Sequence, residues 1–245
     1  MRPLIQLLND NKHMPRQFEA VQNSAEESTV YIYDVIVSSD QQAMWGGIAP
    51  ESFAKTLNEL KTPVINLRIN SPGGDVFAGR AMETTIKDHP SKIVAYIDGY
   101  AASISSILAI AADEVQISDG SFIMIHHAWS FVGGNKGDLR KMADLLEKID
   151  STLVDTYVKK TGATADQVMS WLDAETWFTA KEAVSAGFAG KISEYKPKNL
   201  TNWNVSAYGK APKIDEKPAG NVVNDEEIRC LMDQMKMRLM LASIL

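Results

Sequence analysis

Val64-Ile65-Asn66-Leu67-Arg68-Ile69 runs directly into Asn70-Ser71-Pro72-Gly73-Gly74, and after Phe77 to Lys87 comes Ile93-Val94-Ala95-Tyr96-Ile97. The first and last runs are short, apolar and rich in β-branched residues, as strands should be, and the Asn-Ser-Pro-Gly-Gly between them is a turn signal. The stretch from Phe77 to Lys87 has helical periodicity, so the unit reads strand–helix–strand. Outward from it the same alternation continues. Val30 to Val37 predicts a strand, and Pro50 to Leu60 a helix with Phe53, Leu57 and Leu60 on one face. Ala101 to Ala112 predicts a small-residue helix, and Val115 to Ile117 and Phe122 to Ile125 short strands. Lys136 to Lys160 is the longest predicted helix, with Leu139, Met142, Leu145, Leu146, Ile149, Leu153 and Val154 at core spacing. Repeated units with short connections imply an α/β fold, a mainly parallel sheet flanked by helices.

The flanks differ in composition. Residues 1–28 mix charged, amide and small residues and read as an N-terminal arm ahead of a domain over 29–195. Residues 196–224 carry Pro197, Pro212 and Pro218 among scattered Lys, Asn and Gly, a linker composition. Residues 225–245 return to helical periodicity, with Ile228, Leu231, Met232, Met235, Leu239 and Ala242 on one face, a C-terminal amphipathic helix that either packs on its own core or docks a partner. The 245 residues are 45% apolar and 23% charged, an ordinary globular balance. A net charge of −6 argues against nucleic acid as the main partner. No apolar run is long enough for a membrane span, and the N-terminal apolar run is too short for a signal peptide. With Cys230 the single cysteine, no intramolecular disulfide can form and a cytoplasmic location is expected. One cysteine and four histidines offer no structural-zinc pattern.

Three segments carry possible chemistry. Ser103 lies in Asp98-Gly99-Tyr100-Ala101-Ala102-Ser103, after a strand and at the opening of a helix, where free N–H groups favour developing negative charge. A serine there also serves as an ordinary N-cap. His126 and His127 end the strand Phe122 to Ile125; adjacent residues of a strand point opposite ways, so at most one faces a given site. A histidine near neutrality suits proton transfer from a serine hydroxyl, although a lone histidine is as readily structural. Gly73 and Gly74 let backbone approach a bound group and offer N–H donors for an oxyanion, or simply make a turn.

Together these segments resemble the proteolytic subunit of the Clp protease family. Ile69 to Gly74 matches that family's Ile-Asn-Ser-Pro-Gly-Gly, Ala101 to Ser103 its Ala-Ala-Ser, and Met124 to His126 its Met-Ile-His. The order of motifs and the long helix after Gly133-Gly134 match as well. The resemblance implies a superhelical fold of β-β-α units with a projecting handle helix, shared with the crotonase group. It also implies a serine peptidase with Ser103 as nucleophile, His126 as base, and backbone N–H groups of Gly73 and Ile104 as oxyanion hole, without metal or organic cofactor. Trp177-Phe178-Thr179-Ala180-Lys181-Glu182-Ala183 aligns with the run that follows the family's catalytic aspartate, which puts Glu175 at the acid position; Asp173 is the rival. His127 falls where the family commonly has glutamine.

The implied partners are peptides or unfolded proteins, in a homo-oligomeric ring or two stacked rings. A core followed by a linker and a terminal helix is similar to Clp-like proteases of phages and prophages, which implies maturation of capsid or scaffold proteins. A housekeeping subunit working with an ATP-driven unfoldase is the alternative. Beyond these stand an inactive assembly subunit, against which the intact Ser103 and His126 argue, and a crotonase-type acyl-CoA enzyme, which lacks a Ser-His pair in this order.

Overall fold

The computed structural model describes residues 3–14, 16–44, 46–194 and 203–212. Its elements run α1 (Pro3–Asp10), β1 (Gln17–Gln22), β2 (Glu27–Tyr33), α2 (Asp40–Ala43), α3 (Pro50–Glu59), β3 (Val64–Ser71), α4 (Val76–Asp88), β4 (Lys92–Ala102) and α5 (Ile104–Ala111). They continue through β5 (Glu114–Ser118), β6 (Phe122–Ile125), α6 (Lys136–Thr161), α7 (Ala165–Asp173), β7 (Thr176–Thr179), α8 (Ala180–Ser185) and β8 (Lys191–Ser193). The sheet has eight strands in the order β1-β2-β3-β4-β5-β8, with β6 and β7 branching from β4. Pairs β2–β3, β3–β4, β4–β5, β4–β6 and β5–β8 are parallel, while β1–β2 and β6–β7 are antiparallel. The α/β class and mainly parallel sheet read from the sequence are what the chain adopts.

The branch at β4 positions the site. Residues Val94–Ile97 of β4 pair with β5, and Tyr100–Ala102 pair with β6. Between these two halves, the two-residue step from Ile69 to Ser71 on β3 faces the four-residue step from Ile97 to Ala101 on β4. The extra length bends β4 away, as bulges do. Asn70 fills the gap: its Oδ1 accepts from Tyr100 N at 3.1 Å, and a Cβ on Gly99 would lie 2.5 Å from that oxygen. Below the bend, Asp98 takes Arg68 Nε at 2.6 Å, a second Arg68 nitrogen, and the Tyr33 hydroxyl at 2.6 Å. That pairing satisfies a carboxylate buried between β2, β3 and β4.

Two core clusters result. The larger lies among the sheet and helices α3, α4, α5, α7 and α8 with the C-terminal part of α6; the smaller gathers Leu7, Val35, Val37, Ala49, Tyr100, Ala102, Met124, Trp203, Val205 and Tyr208. The smaller cluster corrects two expectations. Residues 1–28 are not all a loose arm, because Leu7 of α1 is buried and β1 pairs along β2. Within the expected linker, residues 203–211 pack against the domain, and Met1–Ala211 form one compact unit. Trp203, Val205 and Tyr208 are apolar enough to be drawn into the core despite the polar residues around them.

Two element readings also change. Ala101 and Ala102 belong to β4, not to the helix, because pairing with Ile123 and Met124 outweighs alanine's helix preference. In α6 only Leu153, Val154 and Tyr157 are buried; Leu139 and Leu145, expected in the core, are 49% and 42% exposed. The expected helix over 225–245 lies outside the described residues.

Candidate active site

The parallel pairing of β4 with β6 brings the chemistry together. Ala102 sits opposite Met124, so the residues that follow each strand meet. Ser103 N donates to Met124 O at 2.8 Å, and Ser103 Oγ lies 2.8 Å from His126 Nε2. Ser103 occupies the N-cap position of α5, yet its hydroxyl caps nothing. It bonds His126 instead, which separates it from the ordinary N-cap serine. Its backbone, φ 55° and ψ −130°, makes a sharp turn that L side chains rarely adopt. Neighbouring hydroxyls secure that turn: Ser105 Oγ donates to Ala102 O at 2.7 Å and Ser71 O at 2.9 Å, and Ser106 Oγ donates to Ser103 O at 2.7 Å.

Gly73 lies against this turn. A Cβ there would come within 2.6 Å of Ala102 O and 2.8 Å of Ser103 Cβ, and φ is +89°, so only glycine fits. The Gly73 N–H reaches Ser71 Oγ at 3.2 Å. Ile104 opens α5, where an N–H has no intrahelical acceptor. Gly73 and Ile104 are thus neighbours beside Ser103.

His126 is deprotonated at neutral pH. Burial pulls its pKa down to about 4, opposed by the charges of Glu175 and Asp150. Glu175 reaches this position through the antiparallel β6–β7 ladder, where Ile125 pairs with Thr176 and the next residues outward are His126 and Glu175. Among the described residues, however, Glu175 hydrogen-bonds elsewhere. Its carboxylate accepts from Gly209 N at 3.1 Å, Lys210 N at 2.6 Å and Trp177 Nε1 at 3.4 Å. Like Ser103, Glu175 has positive φ, at 46°.

Asp173 goes to the other histidine. His127 Nε2 lies 2.8 Å from Asp173 Oδ1, and its Nδ1 lies 2.8 Å from Asp150 Oδ2. Burial lowers the pKa of His127, but the two carboxylates outweigh it and hold the imidazole above its ordinary value. Asp150 also accepts from Ala128 N at 2.7 Å, fixing the chain just beyond the two histidines to α6. Among the described residues no cluster of histidine, cysteine or carboxylate side chains is arranged to hold a metal ion.

Sequence reading missed the segment 203–211. Trp203 Nε1 donates to Asn70 O at 2.7 Å, the Tyr208 hydroxyl donates to Pro72 O, and Tyr208 packs edge-on against His126 with centroids 5.2 Å apart. The available signal was the alternation Trp203, Val205, Ala207. A true linker does not need it.

A serine bonded to a half-buried histidine at the ends of adjacent parallel strands, beside a helix N-terminus, is the arrangement of a serine hydrolase on an α/β fold. The chain belongs to the Clp protease family, whose model matches residues 26–196, and it is a serine endopeptidase by class. It is 36% identical over 132 residues to ATP-dependent Clp protease proteolytic subunit 1 of Leifsonia xyli subsp. xyli, covering 53% of this chain and 67% of that protein. It is 32% identical over 130 residues to proteolytic subunit 2 of Tropheryma whipplei, covering 52% and 72%, and 33% identical over 131 residues to subunit 3 of Rhodococcus jostii, covering 52% and 64%. The alignments thus span about two-thirds of these relatives. The fold matches that of a ClpP1 mutant from Listeria monocytogenes with TM-score 0.59 and 22% identity, over 69% of this chain and 92% of that one.

Proposed function

We propose that the chain hydrolyses peptide bonds through an acyl-enzyme on Ser103. His126 Nε2, neutral and 2.8 Å from Ser103 Oγ, takes the hydroxyl proton as oxygen attacks the scissile carbonyl, then returns it to the leaving amine. The oxyanion accepts from the N–H groups of Gly73 and Ile104; for Gly73 it replaces the 3.2 Å bond to Ser71, which a stronger acceptor displaces. Glu175, facing His126 across the β6–β7 ladder, supplies negative charge that stabilises the imidazolium. The observation that carries the reading is the Ser103–His126 hydrogen bond at a serine that caps no helix.

The test is reaction with a fluorophosphonate probe and hydrolysis of an extended fluorogenic peptide. Ser103→Ala should lose labelling and lower turnover by at least about a thousandfold while keeping its fold. A correctly folded Ser103→Ala that still labels would sink the assignment.

The substrates are extended or unfolded polypeptides, handled by a cytoplasmic homo-oligomeric ring, single or stacked. Maturation of capsid or scaffold proteins is the role that the resemblance to Clp-like proteases of phages and prophages implies. A housekeeping role with an ATP-driven unfoldase is favoured by the names of the relatives. Degradation of a folded, tagged substrate only with an unfoldase and ATP would support the second; ATP-independent cleavage of a scaffold protein would support the first.

A further inference from the structure

We infer that Tyr208 is a positioning residue for the oxyanion hole, its hydroxyl fixing the plane of the Pro72–Gly73 peptide by donating to the Pro72 carbonyl. The inference rests on Ser103 being the nucleophile, and it adds to that site a group from beyond the family match, which ends at residue 196.

The Pro72 carbonyl and the Gly73 N–H are the two ends of one rigid peptide unit, so a bond that holds the oxygen also aims the hydrogen. Donation to the carbonyl further polarises the amide and strengthens its N–H as a donor. Little else about this peptide is free to choose its orientation. The peptide that follows is fixed separately, because Gly73 O accepts from Ile36 N at 2.8 Å, and Gly73 itself lies close against Ala102 O, Ser103 and Ile104 N. Glycine at φ +89° has no side chain to resist rotation, so the peptide is held at its two ends, by the Gly73 N–H bond to Ser71 Oγ and the Tyr208 bond to the Pro72 carbonyl, and the second remains when an oxyanion displaces the first.

Tyr208 is built to hold that handle. It is 7% exposed, wedged between His126 and Trp177, with ring centroids 5.2 Å and 6.1 Å away. Burial, then the charge of Glu175, raises the phenol above its ordinary pKa, against the Ser103 hydroxyl, so it stays a donor through the working pH range. Its backbone is fixed by the two residues that follow it, because Gly209 N and Lys210 N bond the Glu175 carboxylate. A latch that merely blocks the site is the opposite reading, and it predicts the opposite sign.

The experiment compares wild type, Tyr208→Phe, Trp203→Phe and Ser103→Ala in peptide hydrolysis, fluorophosphonate acylation and thermal melting. Tyr208→Phe should lower kcat about 10- to 100-fold with KM within about twofold, because a mis-aimed oxyanion donor costs the transition state and not the ground state. Acylation should slow in proportion, and the acid limb of kcat/KM should stay where it is, since phenylalanine keeps the ring that packs on His126. Trp203→Phe removes a donor to the same loop from the same segment; it should lower the melting temperature yet leave kcat within about twofold. Normalising rates to the folded fraction keeps the comparison valid if a variant is partly unfolded. With Ser103→Ala inactive, an unchanged or faster Tyr208→Phe overturns the inference, as does an equal kcat loss in Trp203→Phe. A Ser103→Ala protein that still labels overturns the nucleophile, and this inference with it.

Discussion

Ser103 pays a conformational cost for its place, because φ 55° with ψ −130° is a region glycine enters easily and an L side chain does not. Such strain is worth of order 1–3 kcal/mol and persists where surrounding bonds over-determine it, here those of Ser105 and Ser106 to the carbonyls of Ala102 and Ser103. Ser103→Gly and Ser103→Ala should both be inactive, but the glycine variant should melt above the alanine variant by several degrees. Equal melting temperatures would mean the turn is unstrained. His126 makes the second residue-level prediction. A base held at about 4 stays neutral well below the ordinary histidine value of about 6.5, so the acid limb of kcat/KM should fall below pH 6. Removing the Glu175 charge withdraws an influence that opposes the shift, so Glu175→Gln should move that limb lower still. An acid limb at 6.5 or above would show that burial does not control this imidazole. The same shift has a stability sign: the unfolded chain takes up the proton that the folded one refuses, so stability contributed above about pH 6.5 is lost as pH falls toward 4.

The acid is a question about elements, since strand register decides which carboxylate faces which histidine. Ile125 opposite Thr176 sets Glu175 beside His126, while Asp173, the last residue of α7, bonds His127. Glu175→Gln should therefore lower turnover by about a hundredfold or more, and Asp173→Asn should be nearly silent in peptide hydrolysis. A crippled Asp173→Asn beside an active Glu175→Gln would reverse the assignment. The position of Glu175 was readable only through the family resemblance, because Trp177 to Ala183 aligns with the run that follows the family's catalytic aspartate. The strand–helix–strand unit from Val64 to Ile97 was legible locally, from apolar β-branched runs on either side of a helical period. The end of β4 was not: Ala101 and Ala102 read as helix, and only pairing with β6, more than twenty residues on, makes them strand. The segment 203–211 was hidden more deeply. Its hydrogen-bond partners include Asn70 and Pro72, 133 and 136 residues away, and the alternation Trp203, Val205, Ala207 signals burial without naming such partners.

At the scale of the molecule, α6 is longer than one subunit can use. Its buried residues begin at Leu153, although the helix starts at Lys136, and Leu139 and Leu145 stand 49% and 42% exposed on the earlier part. Trp129 and Phe131, on the chain leading into it, are 39% and 64% exposed. A helix is stabilised in water mainly by burying an apolar face, so a stripe left bare in one copy is explained by cover from another. Asp150 ties that helix to the strand end carrying the histidines through Ala128 N and His127, so ordering α6 in an assembly also orders the base. The protein should therefore sediment and scatter light as a ring-sized oligomer. Leu145→Glu, which places a charge in the stripe without touching the site, should shift it toward smaller species and lower its activity together. Light scattering that finds a fully active wild-type monomer across micromolar concentrations would rule this out, and so would a Leu145→Glu variant that dissociates with no loss of turnover, because the link from α6 to His126 would then carry nothing.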